Sequence, residues 1–378
     1  MAIPSEAGSP DNPDGLTDAQ LVGQVFVSYV YGSGTDTATP AQRAANIGLY
    51  GEPTPAAVVR RWHLGGLILL DHNALDPDRD ALSTGNLSSA GQLRRLAGGL
   101  QAVARADTGL PLLIGTDQEG GPVQRIPFLP SRPAEQDLAA LPATAVRCSY
   151  AALGRQLLSL GVNQDYAPDA DVVRVSGGVI GNRSFGPDVS VDAADVRAAV
   201  DGLQGAGVLA TIKHWPGHGS TSTDSHSTLA VIAESAEQWR AVDRPPFAAA
   251  APTVDSIMVG HLALPAVDPS RQPATLSPDL VDGALRHGLG YRGLILTDSL
   301  WMRPVRDAGT AAGVALHALR AGNDMLLMPP DLPHAWAGVL QAVRTQAATR
   351  REVQLAVRHV LAAKAKIGLM SAAGPACN

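Results

Sequence analysis

Aromatic residues, cysteines and long apolar runs are all scarce in this chain of 378 residues. The two cysteines, Cys148 and Cys377, are too few for a disulfide framework, and Cys148 is predicted to be a small core residue of a helix. No apolar stretch approaches the roughly 20 residues of a membrane-spanning helix. The net charge of −6 is small, and the basic residues are scattered. Both features argue against a nucleic-acid surface or a basic membrane patch.

Hydrophobic residues, at 45% against 17% charged residues, are enough for a sizeable core. The strand candidates are Gln24–Val30, Gly66–Leu70, Leu112–Gly115, Val162–Ala167, Val208–Ile212, Ser256–Val259, Leu294–Leu296 and Met325–Met328. Amphipathic stretches separate them, and Thr54-Pro55 and Ser277-Pro278 are typical helix starts. Eight strands alternating with helices predict a single (β/α)₈ barrel. An open doubly wound sheet is the alternative, but its glycine-rich fingerprint after the first strand is missing.

We predict one catalytic domain over residues 17–370, a flexible N-terminal tail over 1–16 and a C-terminal tail over 371–378. The first tail is rich in proline, glycine, serine and aspartate, which is typical of a tether. It lacks the basic-then-apolar pattern of a signal peptide. A mature exported protein whose signal has been removed is favoured over a cytoplasmic protein.

The most informative segment runs from Lys213 to Gly219 with the sequence KHWPGHG, followed by Asp224-Ser225-His226. It contains three of the ten histidines and directly follows an apolar strand candidate. Four other strand candidates also end in polar or glycine-rich motifs, among them the DQEGG and TDS sequences. Because the C-terminal ends of barrel strands meet at one mouth, these motifs predict an active site there.

In their order along the chain, the motifs TDQEGG, VQR, GNRSFG, KHWPGHG, DSH and TDSLWM resemble those of family 3 glycoside hydrolases. They are similar to the bacterial branch of β-N-acetylglucosaminidases that act on cell-wall fragments. The resemblance runs from about residue 20 to 330. It implies a retaining, exo-acting enzyme that takes carbohydrate and needs no metal or organic cofactor.

The resemblance also implies a role for individual residues. Asp298 corresponds to the catalytic nucleophile, and Asp224 with His226 to an acid/base dyad. The residues that correspond to sugar-binding positions, or lie where the family has a histidine near the site, are Asp117, Arg125, Arg183, Lys213, His214 and His261.

The chemistry of these residue types fits that assignment. Glycoside hydrolysis needs a proton donor for the leaving oxygen and, in retaining enzymes, a carboxylate nucleophile. An imidazole titrates near neutrality, so His226 could donate and recover the proton, while Asp224 two residues away could orient the ring. His218 is predicted to tie the loop together, and Glu119, beside two glycines, to be structural.

Several alternatives remain open at this point. Pro122 stands where the family frequently has arginine, Ser299 where it has a second carboxylate, and the bulky Trp301 could shape the entrance. A β-glucosidase, a β-xylosidase or a phosphorylase of the same family is therefore an alternative. His214 and His218 also leave a metal-dependent hydrolase open. A non-enzymatic sugar-binding protein is a further alternative, although it would not need a nucleophile and a proton donor.

Overall fold

The computed structural model describes residues 13–175 and 177–370. The predicted C-terminal tail, with Cys377, lies outside the described residues, as do residues 1–12 of the predicted N-terminal tail. Pro13–Gly15 forms a short 3₁₀ turn, and Thr17 then caps the helix Asp18–Gly23. Among the described residues, no helix is long and apolar enough to cross a membrane.

Eight parallel strands form the barrel, and each overlaps a predicted strand, although the fifth runs on to Trp215, three residues past the predicted end at Ile212. They are β1 (Phe26–Ser28), β2 (Gly66–Ile68), β3 (Leu113–Thr116), β4 (Gln164–Asp165), β5 (Leu209–Trp215), β6 (Ser256–Val259), β7 (Leu294–Thr297) and β8 (Leu326–Leu327). Each strand pairs in parallel with its sequence neighbours. β8 pairs with β1, and a parallel bridge from Leu296 to Met325 closes the ring. The predicted single (β/α)₈ barrel is confirmed.

Helices connect the strands around the outside of the barrel. In chain order from β1 they are Pro40–Tyr50, Pro55–Trp62, Ala90–Thr108, Glu135–Leu138, Ala143–Ser159, Val189–Gly205, Ala236–Ala241, Arg244–Ala250, Arg303–Arg306, Ala311–Ala321, Leu332–Thr345 and Ala347–Lys366. A 3₁₀ turn (Ala274–Leu276) and a π-type helix (Asp279–His287) follow β6, and a 3₁₀ turn (Gly181–Arg183) precedes the helix after β4. The helix start predicted at Thr54-Pro55 is confirmed. Pro55 is the first residue of the helix, and the Thr54 hydroxyl accepts a hydrogen bond from the Ala57 backbone N–H.

The strands are buried on both faces, as expected when helices cover a parallel sheet. The prediction for Cys148 is wrong. In the helix Ala143–Ser159, Val146 and Tyr150 face the core. Cys148 lies two positions from each of them, on the opposite face of the helix, and is exposed.

Two small sheets lie after the C-terminal ends of the barrel strands. The DQEGG segment forms a hairpin in which Gln118–Gly120 pairs antiparallel with Val123–Gln124. A second pair joins Ala230–Val231 to Leu262–Ala263 in parallel, so the segment after β5 is attached to the one after β6. These sheets hold the DQEGG segment and the C-terminal end of the loop after β5.

Candidate active site

A cavity of about 280 Å³ opens at the C-terminal ends of the strands. Its wall combines a polar side, from β5 and the segments after β2, β3, β4, β5 and β7, with an apolar side. The polar wall residues are His72, Asn73, Asp117, Glu119, Arg125, Arg183, Lys213, His214, His218, Ser225, His226, Asp298 and Ser299. Polar motifs that are up to 180 residues apart in sequence therefore meet at one mouth, because parallel strands present their C-terminal ends at the same edge.

Glu119 organises the polar side of the cavity. Its carboxylate accepts from Arg183 Nε at 2.8 Å and Arg183 Nη2 at 2.9 Å, and it also pairs with Lys213 Nζ at 2.5 Å. Lys213 Nζ donates in addition to Asp117 Oδ1 at 2.9 Å. Burial would raise the pKa of Glu119, but the two cations outweigh burial and hold the pKa well below its ordinary value. Glu119 is thus a buried anion that positions two cations.

An irregularity in β5 explains why two consecutive side chains face the same cavity. Ile212 pairs with Ile257, yet Trp215 pairs with Val259, so β5 contains one residue more than β6 over this stretch. In a regular strand, neighbouring side chains point to opposite faces. The extra residue breaks that alternation, and Lys213 and His214 both line the cavity.

Asp171 orients the ring of His214. The His214 Nδ1 lies 2.7 Å from Asp171 Oδ2, which acts as the acceptor, so Nδ1 carries the proton. Burial lowers the pKa of His214 to about 4, and the ring is neutral at pH 7. A neutral ring that is protonated on Nδ1 presents Nε2 as an acceptor, which suits a sugar hydroxyl.

Asp298 directly follows β7 and lies half-buried in the cavity wall. Burial alone would raise the pKa of this carboxyl, but three nearby imidazoles and the Ser299 amide lower it below its usual value. The imidazoles are those of His261, His214 and His226. The Ser299 N–H donates to Asp298 Oδ1 at 2.6 Å. The carboxylate is therefore ionised at neutral pH.

Asp224 and His226 form a hydrogen-bonded pair on the loop after β5. The His226 Nδ1 lies 2.7 Å from Asp224 Oδ1, and the His226 backbone N–H donates to the same oxygen at 2.9 Å. Burial would raise the pKa of Asp224, but these two bonds lower it below its ordinary value. Since Nδ1 is occupied, Nε2 is the ring nitrogen available for proton transfer, and His226 lines the cavity.

The comparisons with known proteins agree with this geometry. A family profile described as the glycosyl hydrolase family 3 N-terminal domain matches residues 51–363. The chain belongs to glycosyl hydrolase family 3. The chain is therefore a glycoside hydrolase, and the resemblance in the sequence motifs is confirmed for the family.

Several proteins of known sequence or structure are similar to this chain. A β-hexosaminidase from Xylella fastidiosa (strain 9a5c) is 37% identical over 238 residues, which are 61% of this chain and 70% of that protein. The structure of a family 3 β-N-acetylglucosaminidase from Paenibacillus sp. FPU-7 matches with a TM-score of 0.82 and 31% identity, over 95% of this chain and 64% of that longer chain. A β-N-acetylhexosaminidase from Beutenbergia cavernae matches with a TM-score of 0.78 and 25% identity, over 93% of this chain and 99% of that one.

Two residues considered from the family resemblance, His261 and Trp301, do not line the cavity. His261 is wholly buried outside the cavity wall, with Nδ1 2.7 Å from Thr275 Oγ1 and Nε2 2.9 Å from the Ser299 carbonyl. Both ring nitrogens are thus used inside the protein, and His261 supports the segment after Asp298. Trp301 is also buried and does not line the cavity, where the neighbouring Met302 takes its place.

Sequence reasoning missed several wall residues. His72 lines the cavity from the segment after β2, although it had no motif context in the sequence. Three methionines contribute to the apolar side, namely Met258, Met302 and Met328. Strand-end position could have indicated two of them, because Met258 lies in β6 and Met328 immediately follows β8. Met302 is the last residue of the TDSLWM motif.

The two histidines that suggested a metal site pack edge to face, with ring centroids 6.1 Å apart. Both ring nitrogens of His218 are used inside the protein, by Thr221 and Ser225. A different group, Asp169, Asp171 and His214, offers ligand atoms within 4.8 Å of one another. His214 Nδ1 lies 2.7 Å from Asp171 Oδ2, and Asp169 Oδ1 accepts from the Asp171 backbone N–H at 3.0 Å. Asp169 Oδ2 has no hydrogen-bond partner among the described residues and lies 3.5 Å from Arg183 Nη2. Most of these atoms thus belong to an internal hydrogen-bond network.

Proposed function

We propose that this chain is a retaining, exo-acting β-N-acetylglucosaminidase with Asp298 as nucleophile and Asp224–His226 as acid/base dyad. One observation carries the proposal: an ionised carboxylate and an imidazole oriented by an aspartate line the same cavity. This pair supplies the two groups that retaining hydrolysis requires.

The reaction follows from these two groups. An oxygen of Asp298 attacks the anomeric carbon, the bond to the leaving group breaks, and the proton on His226 Nε2 passes to the departing oxygen. The ring, now neutral, then takes a proton from water, and the water oxygen displaces Asp298 from the sugar. Asp224 stabilises the imidazolium in the first step and keeps the same tautomer available for the second.

The polar wall suits the remaining hydroxyls of one terminal sugar. Lys213 and Arg183 offer donors, Asp117 and His214 offer acceptors, and Arg125 lies at the exposed rim of the same wall. A cavity of about 280 Å³, at the small end of the usual range for ligand sites, fits a single sugar ring better than the middle of a polymer. This supports exo action.

The related proteins suggest the identity of that sugar. Relatives of this chain bear the names β-hexosaminidase and β-N-acetylglucosaminidase, which supports a 2-acetamido sugar as substrate. Fragments that carry terminal N-acetylglucosamine, as in peptidoglycan turnover, are the proposed physiological substrates. Water is the proposed acceptor of the second step, and phosphate is the alternative acceptor.

The test is release of 4-nitrophenol from its β-N-acetylglucosaminide, β-glucoside and β-xyloside, each with and without EDTA and with and without phosphate. We expect turnover of the acetamido sugar alone, unchanged by EDTA, and nearly abolished by Asp298→Asn. Asp201→Asn, the same change on an exposed helix surface, is the control and should retain full activity. Preference for another glycoside, loss of activity with EDTA, a sugar phosphate as product, or an active Asp298→Asn would refute the proposal.

A further inference from the structure

The acid/base loop is held by one buried side chain and by a backbone contact, in which the Arg303 N–H donates to the His226 carbonyl at 3.2 Å. Within the described segment from Ser222 to Thr228, the Ser225 side chain is buried, and the others are exposed or partly exposed. Asp224 and His226, on either side of it, are each about half exposed. A loop with so few buried groups needs a specific contact to keep its catalytic pair in one place.

His218 supplies that contact. Its Nε2 lies 3.0 Å from Ser225 Oγ, and its Nδ1 lies 2.6 Å from Thr221 Oγ1. The His218 backbone N–H donates to Asp171 Oδ1 at 2.6 Å. Asp171 is the carboxylate that also orients His214, so one buried residue joins the sugar wall to the acid/base loop. Burial lowers the pKa of His218, and the ring remains neutral when the pH is near 7.

We propose that His218 and Ser225 are positioning residues that act through His226, an inference that rests on the proposed function. Proton transfer requires the donor nitrogen within hydrogen-bond reach of the departing oxygen. Ser225 lies between the two members of the dyad, so a fixed Ser225 side chain restricts the positions that His226 Nε2 can occupy. Loss of the link lets the loop move, and a displacement of about 1 Å is enough to weaken catalysis.

The experiment compares aryl glycosides whose leaving groups need different amounts of protonation. The substrates are the phenyl, 4-nitrophenyl and 2,4-dinitrophenyl β-N-acetylglucosaminides, and the variants are Ser225→Ala, His218→Asn and His226→Ala. Ser227→Ala is the matched control, because Ser227 is on the same loop but contacts only the Asp224 carbonyl. Circular dichroism and the melting temperature identify any variant that fails to fold, and Ser225→Ala is the mildest change.

For Ser225→Ala we expect kcat/KM to fall roughly fivefold with the phenyl substrate, which corresponds to the loss of one neutral hydrogen bond. With the 2,4-dinitrophenyl substrate, whose leaving group needs the least protonation, kcat/KM should be unchanged. In a His226→Ala background the same change should have no further effect. Equal losses with all three leaving groups, a change in KM alone, or an additive loss in the His226→Ala background would overturn the positioning role. A direct contact of Ser225 with the sugar would give the first of these patterns.

The two proposals fail in different ways. If the loss of kcat/KM in His226→Ala does not depend on the leaving group, the dyad of the proposed function is wrong. The positioning role of His218 and Ser225 is then wrong as well. If His226→Ala shows that dependence and Ser225→Ala does not, only the positioning role of His218 and Ser225 is wrong. If the enzyme prefers another aryl glycoside, the same series on that sugar still tests the link.

Discussion

Glu119→Gln removes the anion on which two cations of the cavity depend. Glu119 is 1% exposed and bonds Arg183 through both carboxylate oxygens, while one oxygen also meets Lys213. Glutamine keeps one acceptor oxygen, but its NH₂ group faces a cationic donor in place of the other. Arg183 and Lys213 would therefore be buried side by side with one negative charge fewer.

The magnitude follows from the burial of these ions. Removing one partner of a buried ion pair costs about 3–5 kcal/mol. With an unfolding entropy of roughly 0.8 kcal/mol per kelvin for a chain of this length, the melting temperature should fall by about 4–6 °C. The stability of the wild type should also depend on pH. Because the folded pKa of Glu119 lies below its unfolded value of 4.5, its stabilisation is full above about pH 4.5 and is lost as the pH falls further.

The assay combines thermal unfolding between pH 3 and 7 with the kinetics of aryl glycoside hydrolysis. Glu237→Gln, the same change on an exposed helix, should alter the unfolding free energy by less than about 0.5 kcal/mol. For Glu119→Gln we expect the lower melting temperature, a shallower loss of stability in acid and a large drop in kcat/KM. A variant with wild-type melting temperature and wild-type kcat/KM would refute the argument that Glu119 positions the two cations.

Two further predictions concern residues outside the chemistry. Burial lowers the pKa of Lys364 from 10.5 to about 7, with Gln24 as its hydrogen-bond partner. The unfolded chain therefore binds more protons between pH 7 and 10.5, and stability should rise with pH in this window. Lys364→Met should be a few kcal/mol more stable at pH 6, with an advantage that shrinks towards pH 10.5, as measured by urea unfolding; an unchanged pH slope would contradict this. Gly219→Ala places a Cβ 2.0 Å from the Val172 carbonyl oxygen, so it should lower the free energy of unfolding by about 1–3 kcal/mol and reduce kcat/KM. Gly98→Ala is the control, because its Cβ meets no atom within 4 Å, and it should leave stability unchanged or raise it.

Much of the fold could be predicted because its signals are local. Each strand is a short apolar run, and the Thr54-Pro55 start needs only a hydroxyl and a fixed backbone angle next to each other. The prediction for Cys148 was wrong because a residue inside a helical pattern faces the core or the solvent according to its position around the helix. Val146 and Tyr150, rather than Cys148, carry the apolar stripe.

Part of the candidate site could also be predicted from local signals, and part could not. The motifs placed Asp298, Lys213 and His214 at the mouth of the barrel, because each follows or ends a recognisable strand. They did not indicate that Glu119 holds two cations, since its partners are 64 and 94 residues away in the chain. Nor could they show that His261 uses both ring nitrogens inside the protein.

The sequence by itself determined the strand order, the barrel and most of the polar motifs that meet at its mouth, because hydrophobic periodicity and strand-end motifs are properties of neighbouring residues. Only the tertiary structure decided which of these side chains face the cavity and which are used internally. The direction of a side chain on a loop depends on contacts between distant segments, such as His218 with Ser225 or the bulge in β5 opposite β6. Such contacts exist only when the ring of strands has closed.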